Sequence, residues 1–184
     1  MQAVSLFILK IFGWRVELSV QMPDKCVLVG APHTTNWDFP LAILGMSAMG
    51  IKFNWVAKHT LFRWPLGFFM RLLGGISLDR RYGGTGFAIK AVETFHDLDR
   101  FVLAIAPEGT RHRTAYWKAG FYKIAMKSNV PIGLGYVDYK KKKIGIGKIL
   151  LPTGDRDKDL VVIKDFYLDK SGKFPKKHGE IRLR

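Results

Sequence analysis

The sequence predicts a single α/β domain: a largely parallel central sheet, flanking helices and an antiparallel edge hairpin. Three observations carry this. Four short apolar runs, residues 26–31, 54–58, 76–78 and 101–106, are separated by helix-like segments, the arrangement of parallel strands with helical crossovers. Two further runs, 132–139 and 143–151, flank the turn Lys140-Lys141-Lys142, as an antiparallel pair would. The chain of 184 residues, 48% hydrophobic and 24% charged, has room for one core and little more.

Each element has its own signal. Residues 1–25 form an apolar lead-in; their first twelve either pack on the domain as a short helix or lie in a membrane interface. Residues 26–31 read as a buried strand. Asn36 can cap a helix running to about residue 50, with Asp38 in its first turn and Pro40 tolerated near its start. Thr60 heads an aromatic-rich segment, 61–73, which Pro65 breaks or kinks. Residues 87–98 give the clearest helix, with Ala88, Ala91, Val92, Phe95 and Leu98 on one face. Residues 117–127 are helical and end at Asn129, a C-terminal cap before Pro131. Residues 155–167 supply the last helix, and a basic tail follows. The longest uncharged apolar stretch, 39–51, is 13 residues, too short to span a bilayer, and the N-terminus lacks the basic start of a signal peptide. No membrane-spanning helix is expected.

The charge is unusual. Thirty basic residues face 15 acidic ones, net +15, and the surplus is concentrated: net +4 over residues 1–100 and +11 over 101–184. Such a surface suits polyanions: nucleic acid, anionic headgroups or phosphorylated small molecules. The single cysteine, Cys26, excludes an internal disulfide and a cysteine-based zinc site, points to a reducing compartment, and reads as core.

Parallel strands end on one side of the sheet, where loops build ligand sites. The polar residues after the four strands are His33, Lys58, Arg80 and Glu108 with Arg111, so they can converge although far apart in sequence. His33 precedes Asp38 by five residues. An Asp accepting from one imidazole nitrogen fixes the tautomer and leaves the other nitrogen as a base. Pro107-Glu108-Gly109-Thr110-Arg111 follows a strand directly; Gly turns the backbone and Arg offers a planar fork for phosphate. Arg80 and Arg81 close a third motif, residues 74–81, at the end of the third strand. Taken singly, each also reads as a solvated turn or a local charge pair.

In combination these motifs, with Val130-Pro131-Ile132, resemble the glycerol-phosphate and lysophospholipid acyltransferase superfamily over roughly residues 26–140. The tetrad Glu108-Gly109-Thr110-Arg111 arises by chance on the order of once in a thousand chains of this length. The resemblance implies transfer of a fatty acyl group from acyl-CoA or acyl-carrier protein to a lysophospholipid hydroxyl, most closely that of lysophosphatidic acid. It implies His33 as general base, Asp38 as its orienting partner, and Lys58, Arg80, Glu108, Gly109, Thr110 and Arg111 around the acceptor headgroup. It also implies a peripheral protein on the cytoplasmic side of an anionic membrane. Neither metal nor cofactor is expected, because a thioester is already activated. In the fourth motif, Gly133 and Gly135 stand where a second proline is usual.

A nucleic-acid-binding protein is the rival from another class, with Tyr116, Trp117, Phe121 and Tyr122 available for stacking. No helix-turn-helix, zinc-finger or RNA-recognition signature accompanies them, and no nucleic-acid partner is expected. A third reading is a membrane-surface protein of the same fold without activity, against which the His33–Asp38 pair stands.

Overall fold

The sheet grows from β2 (Lys25–Gly30), whose four central residues, Cys26 to Val29, are all buried. An uninterrupted apolar run with no polar alternation suits a strand covered on both faces. The computed structural model describes residues 1–78 and 85–184. Its strands are β1 (Arg15–Leu18), β2, β3 (Asn54–Lys58), β4 (Gly75–Leu78), β5 (Phe101–Ile105), β6 (Ile132–Asp138) and β7 (Lys143–Leu150), in the order β1-β7-β6-β2-β5-β3-β4. All pairings are parallel except β6 with β7. The fold class is the one expected.

Among the described residues the α-helices are α1 (Gln2–Ile11), α2 (Asp38–Ala48), α3 (Leu66–Leu72), α4 (Thr85–Asp97), α5 (Gly120–Ser128) and α6 (Arg156–Tyr167). The sheet separates two layers. On one face Cys26, Leu28, Val102 and Ile146 pack against Met46 of α2, while Leu9 of α1 meets Val137 and Ile144. On the other, Val27, Val29, Leu103 and Ile132 pack against Phe95 of α4, Phe121 and Ile124 of α5, and Ile163 and Tyr167 of α6. Trp55 of β3 ties α3 to the α1–α2 layer. Its ring centroid lies 4.3 Å from that of Phe39 on α2, and its Nε1–H donates to the Leu73 carbonyl at the end of α3.

Several local expectations hold. Pro65 separates a short 3-10 turn, His59–Phe62, from α3. Asn129 takes the left-handed conformation that ends α5, and the Asp155 side chain caps α6 through the Lys158 N–H.

Others are corrected. Asn36 does not cap α2; Trp37 occupies the cap position without a side-chain bond, and Asp38 turns backward instead. Leu98 lies beyond α4 and is exposed, because the helix ends at Asp97. The β6–β7 hairpin is not the sheet edge: β1 pairs with β7 outside it, from Arg15 opposite Lys143 to Leu18 opposite Ile146. Trp117 does not begin a helix. It is buried and bridges Leu183, so the basic tail lies against residues 114–117 instead of trailing free. Asp79, Arg80 and Arg81 lie outside the described residues.

Candidate active site

The chain leaves the sheet at Gly30 and reaches α2 only at Asp38, so residues 31–37 form a loop at the strand end. This loop is closed on one buried carboxylate. Asp38 Oδ2 accepts from the peptide N–H groups of Thr34 (2.8 Å) and Thr35 (3.0 Å) and lies 3.0 Å from His33 Nδ1. Asp38 Oδ1 accepts from the Tyr139 hydroxyl at 2.8 Å. Four donors therefore satisfy both oxygens of a buried group. With Nδ1–H held by Asp38, the imidazole tautomer presents a bare Nε2, which makes no hydrogen bond among the described residues.

The loop is also clamped from outside the sheet. The Tyr167 hydroxyl sits between the carbonyls of Val29 (3.0 Å) and Gly135 (2.9 Å), joining β2 to β6 just before the loop departs. Thr34 is buried beneath the tail, its Oγ1 accepting from the Phe174 N–H at 3.3 Å. Gly172 makes this approach possible, since a Cβ there would stand 2.7 Å from Thr34 Oγ1.

Glu108 follows β5 and faces inward. Its Oε2 accepts from the His33 peptide N–H at 2.8 Å, and the side chain is buried without lining the cleft in front of His33. Burial pushes its carboxyl up to about 8; the His33 N–H opposes the shift, and the charge of Asp38 adds to it. The sequence groups Glu108 with the headgroup ligands; in the structure its carboxyl group lies on the backbone of the His33–Asp38 loop. The local Glu108–Arg111 ion pair does not form among the described residues. Gly109 adopts φ +65°, a conformation that favours glycine, and turns the chain so that Thr110 and Arg111 reach the cleft.

The cleft belongs to a connected space of about 1520 Å³ whose lining comes from both faces of the sheet, from Met46 and Ile146 on one to Phe121 and Ile124 on the other. His33, Lys58 and Arg111 share its lining, which gathers three of the predicted strand-end residues, and Lys118 joins them. Much of the remaining wall is apolar, including Phe39, Met46, Trp55 and Leu66. Cys26 takes no part: it is fully buried, and burial pushes its thiol up to about 12. Among the described residues no three His, Cys, Asp or Glu side chains gather as a metal site requires.

The structure thus places His33 against the buried Asp38 and sets Lys58, Arg111 and Lys118 along the same cleft. The family model described as Acyltransferase matches residues 14–133, well over half of the chain, and spans both the His33–Asp38 loop and the Glu108–Arg111 turn. The chain belongs to the Acyltransferase family. The crystal structure of the 1-acyl-sn-glycerophosphate (LPA) acyltransferase PlsC from Thermotoga maritima resembles this acyltransferase with a TM-score of 0.61 at 15% identity. The match covers 94% of this chain and 80% of that one, and at such identity the likeness shows the fold. No curated protein matches the chain.

Sequence reading missed Tyr139, Tyr167, Thr34 and Phe174 as supports of this acyltransferase's loop. Tyr139 carried a usable signal, because it follows β6, a fifth strand parallel to β2 that ends on the same side of the sheet.

Glu108 makes stability depend on pH. Folding raises its carboxyl from the ordinary 4.5 to about 8, so the folded state holds the proton more tightly than the unfolded chain. Its contribution is complete below about pH 4.5 and is lost as the pH rises towards 8. Relative to Glu108→Gln, the wild-type melting temperature should fall across that window. Parallel melting curves at all pH values would contradict the burial of an ionisable group here.

Proposed function

We propose that this acyltransferase moves a fatty acyl group from acyl-CoA or acyl-carrier protein to a free hydroxyl of a lysophospholipid, with lysophosphatidic acid the first acceptor to test. It works as a peripheral protein on the cytoplasmic side of an anionic membrane. The supporting observation is the His33–Asp38 pair at a cleft with a largely apolar wall and a cationic lip. Among the described residues no helix is long and apolar enough to cross a membrane.

In this reading His33 Nε2 takes the proton of the acceptor hydroxyl as its oxygen attacks the thioester carbonyl. Asp38 stabilises the imidazolium that forms. The tetrahedral intermediate then expels the thiolate, and the proton on Nε2 passes to the departing sulfur. An ester replaces the thioester, a free thiol is released, and His33 returns to its neutral form. The thioester supplies the activation, so neither a metal nor a covalent enzyme nucleophile enters. The apolar wall suits the acyl chain, while Lys58, Thr110 and Arg111 surround the headgroup; Arg80 joins them on the sequence motif alone. Glu108 serves from behind by fixing the His33 backbone.

The test is thiol release from a long-chain acyl thioester, followed with and without a lysolipid. Acceptor-dependent release with a diacyl product supports the proposal; release that never incorporates acyl into an acceptor would end it. Arg111 gives a finer reading. Its replacement by Ala should raise the acceptor KM more than the donor KM, lowering kcat/KM by about one to two powers of ten for a charge-assisted bond of roughly 1.5–3 kcal/mol. Lys should restore only part, because a point charge cannot reproduce a planar fork. Unchanged acceptor KM would place the phosphate elsewhere on the cationic lip.

A further inference from the structure

Exposed large apolar side chains cluster in two segments of one layer. On α1, Ser5 and Leu9 face α2, Ser5 Oγ donating to Ser47 Oγ at 2.9 Å, while Val4, Phe7 and Ile11 stand in solvent on the opposite side. On the far side of α2, the segment around α3 projects Trp64, Phe68, Phe69 and Leu72, with exposures of 90%, 65%, 56% and 74%. The apolar lead-in foretold the first cluster. Nothing in the acyltransferase chemistry requires the second.

From the α3 cluster, with its charge setting, we infer that this segment is a lipid-docking surface: its projecting side chains enter the headgroup region of an anionic membrane beside the mouth of the cleft. The charge pattern selects lipid over a protein partner. Residues 39–78 contain Lys52, Lys58, Arg63 and Arg71 and no acidic residue, and residues 1–16 contain Lys10 and Arg15 and none. Two copies meeting through this face would set cation against cation. Headgroup phosphates answer those charges while the acyl region takes the rings, and Trp64 is the residue type enriched at such boundaries.

Position gives the surface its use. Leu61 and Leu66 are exposed, line the cleft and flank Trp64, so the apolar surface continues from the platform into the site. Phe39 and Met46 of α2 line the same cleft, between the α1 and α3 clusters. A lipid acceptor or an acyl chain can thus pass between bilayer and cleft along a continuous apolar path. This use rests on the reading of the substrates as lipids; the docking itself does not.

The test compares wild type with the triple variant Trp64→Ser, Phe68→Ser, Leu72→Ser on vesicles of phosphatidylcholine with one third phosphatidylglycerol. None of the three residues lines the cleft, and their exposure predicts an unchanged melting temperature. Sedimentation with vesicles should weaken at least about tenfold in the variant. Quenching of tryptophan fluorescence by brominated lipid should diminish in Trp64→Phe. Wild-type vesicle binding by the triple variant would overturn the proposal. So would a lipid-free dimer of the wild type that the variant dissolves, since a second copy would then be the occupant. A parallel assay with a water-soluble short-chain lysophosphatidate, without vesicles, reads the chemistry separately. Activity there, with loss on vesicles, supports docking. A protein inactive on every acceptor but dependent on Trp64 for vesicles would retain the docking surface and lose the acyl-transfer reading.

Discussion

Replacing His33 with alanine should lower turnover by about a thousandfold, within the range of roughly a hundred- to ten-thousandfold for removal of a general base. The melting temperature should barely move. His33 lies in a loop, its ring keeps 23% of its surface exposed, and its one side-chain bond is to Asp38. The clamps on the loop belong to other atoms: the His33 peptide N–H on Glu108, which alanine retains, and the Asp38 bonds to Thr34, Thr35 and Tyr139. The donor KM should be unchanged, since nothing in the apolar wall is altered. Turnover near wild type would remove His33 from the reaction. Loss of turnover together with a collapsed melting transition would make its role structural.

Asp38→Asn should be at least as severe, on the order of a thousand- to ten-thousandfold in kcat, as for other histidine bases that lose a supporting carboxylate. Two effects coincide. The imidazolium formed during attack loses the negative charge beside Nδ1. The amide also has a single oxygen where the carboxylate offers two, so one side of a site built wholly of donors meets an NH₂ group. Tyr139→Phe separates these effects. It removes one donor of four and leaves the charge, so its loss in kcat should be about ten- to a hundredfold, the scale of one hydrogen bond to a charged group. Equal losses in both variants would show that loop geometry, and not charge, limits the rate.

The candidate site was legible where its residues are close in sequence. His33 and Asp38 are five residues apart, and residues 108–111 are contiguous; both patterns survive reading in one dimension. The four parallel strands were legible because apolar runs between helical segments leave few alternatives. What could not be read depends on partners distant in sequence. Strand β1 spans four residues, exposed at both ends and half-buried at its two middle positions with no alternation to announce it, and owes its existence to β7. Trp117 sits in a helix-like stretch, but its backbone pairs with Arg182 and Arg184, and that pairing decides its conformation. Asn36 offered a good cap, yet Asp38 gathers the loop's N–H groups for itself. Tyr139 lies 101 residues from the carboxylate it completes, so its place after β6 could mark it as a strand-end residue but no local pattern could name its partner.

The clamps on the His33–Asp38 loop also set an order in time. A chain is synthesised from its N-terminus, so His33 and Asp38 emerge well before the groups that hold them. Glu108 comes next, then Tyr139, Tyr167 and finally Phe174, after the last strand of the sheet. A nascent chain that displays His33 and Asp38 still lacks the bonds that fix their loop, and the last of them forms only when the tail lies against Thr34. On the proposed mechanism acyl transfer therefore starts late in synthesis, once the supports of the His33–Asp38 loop are in place.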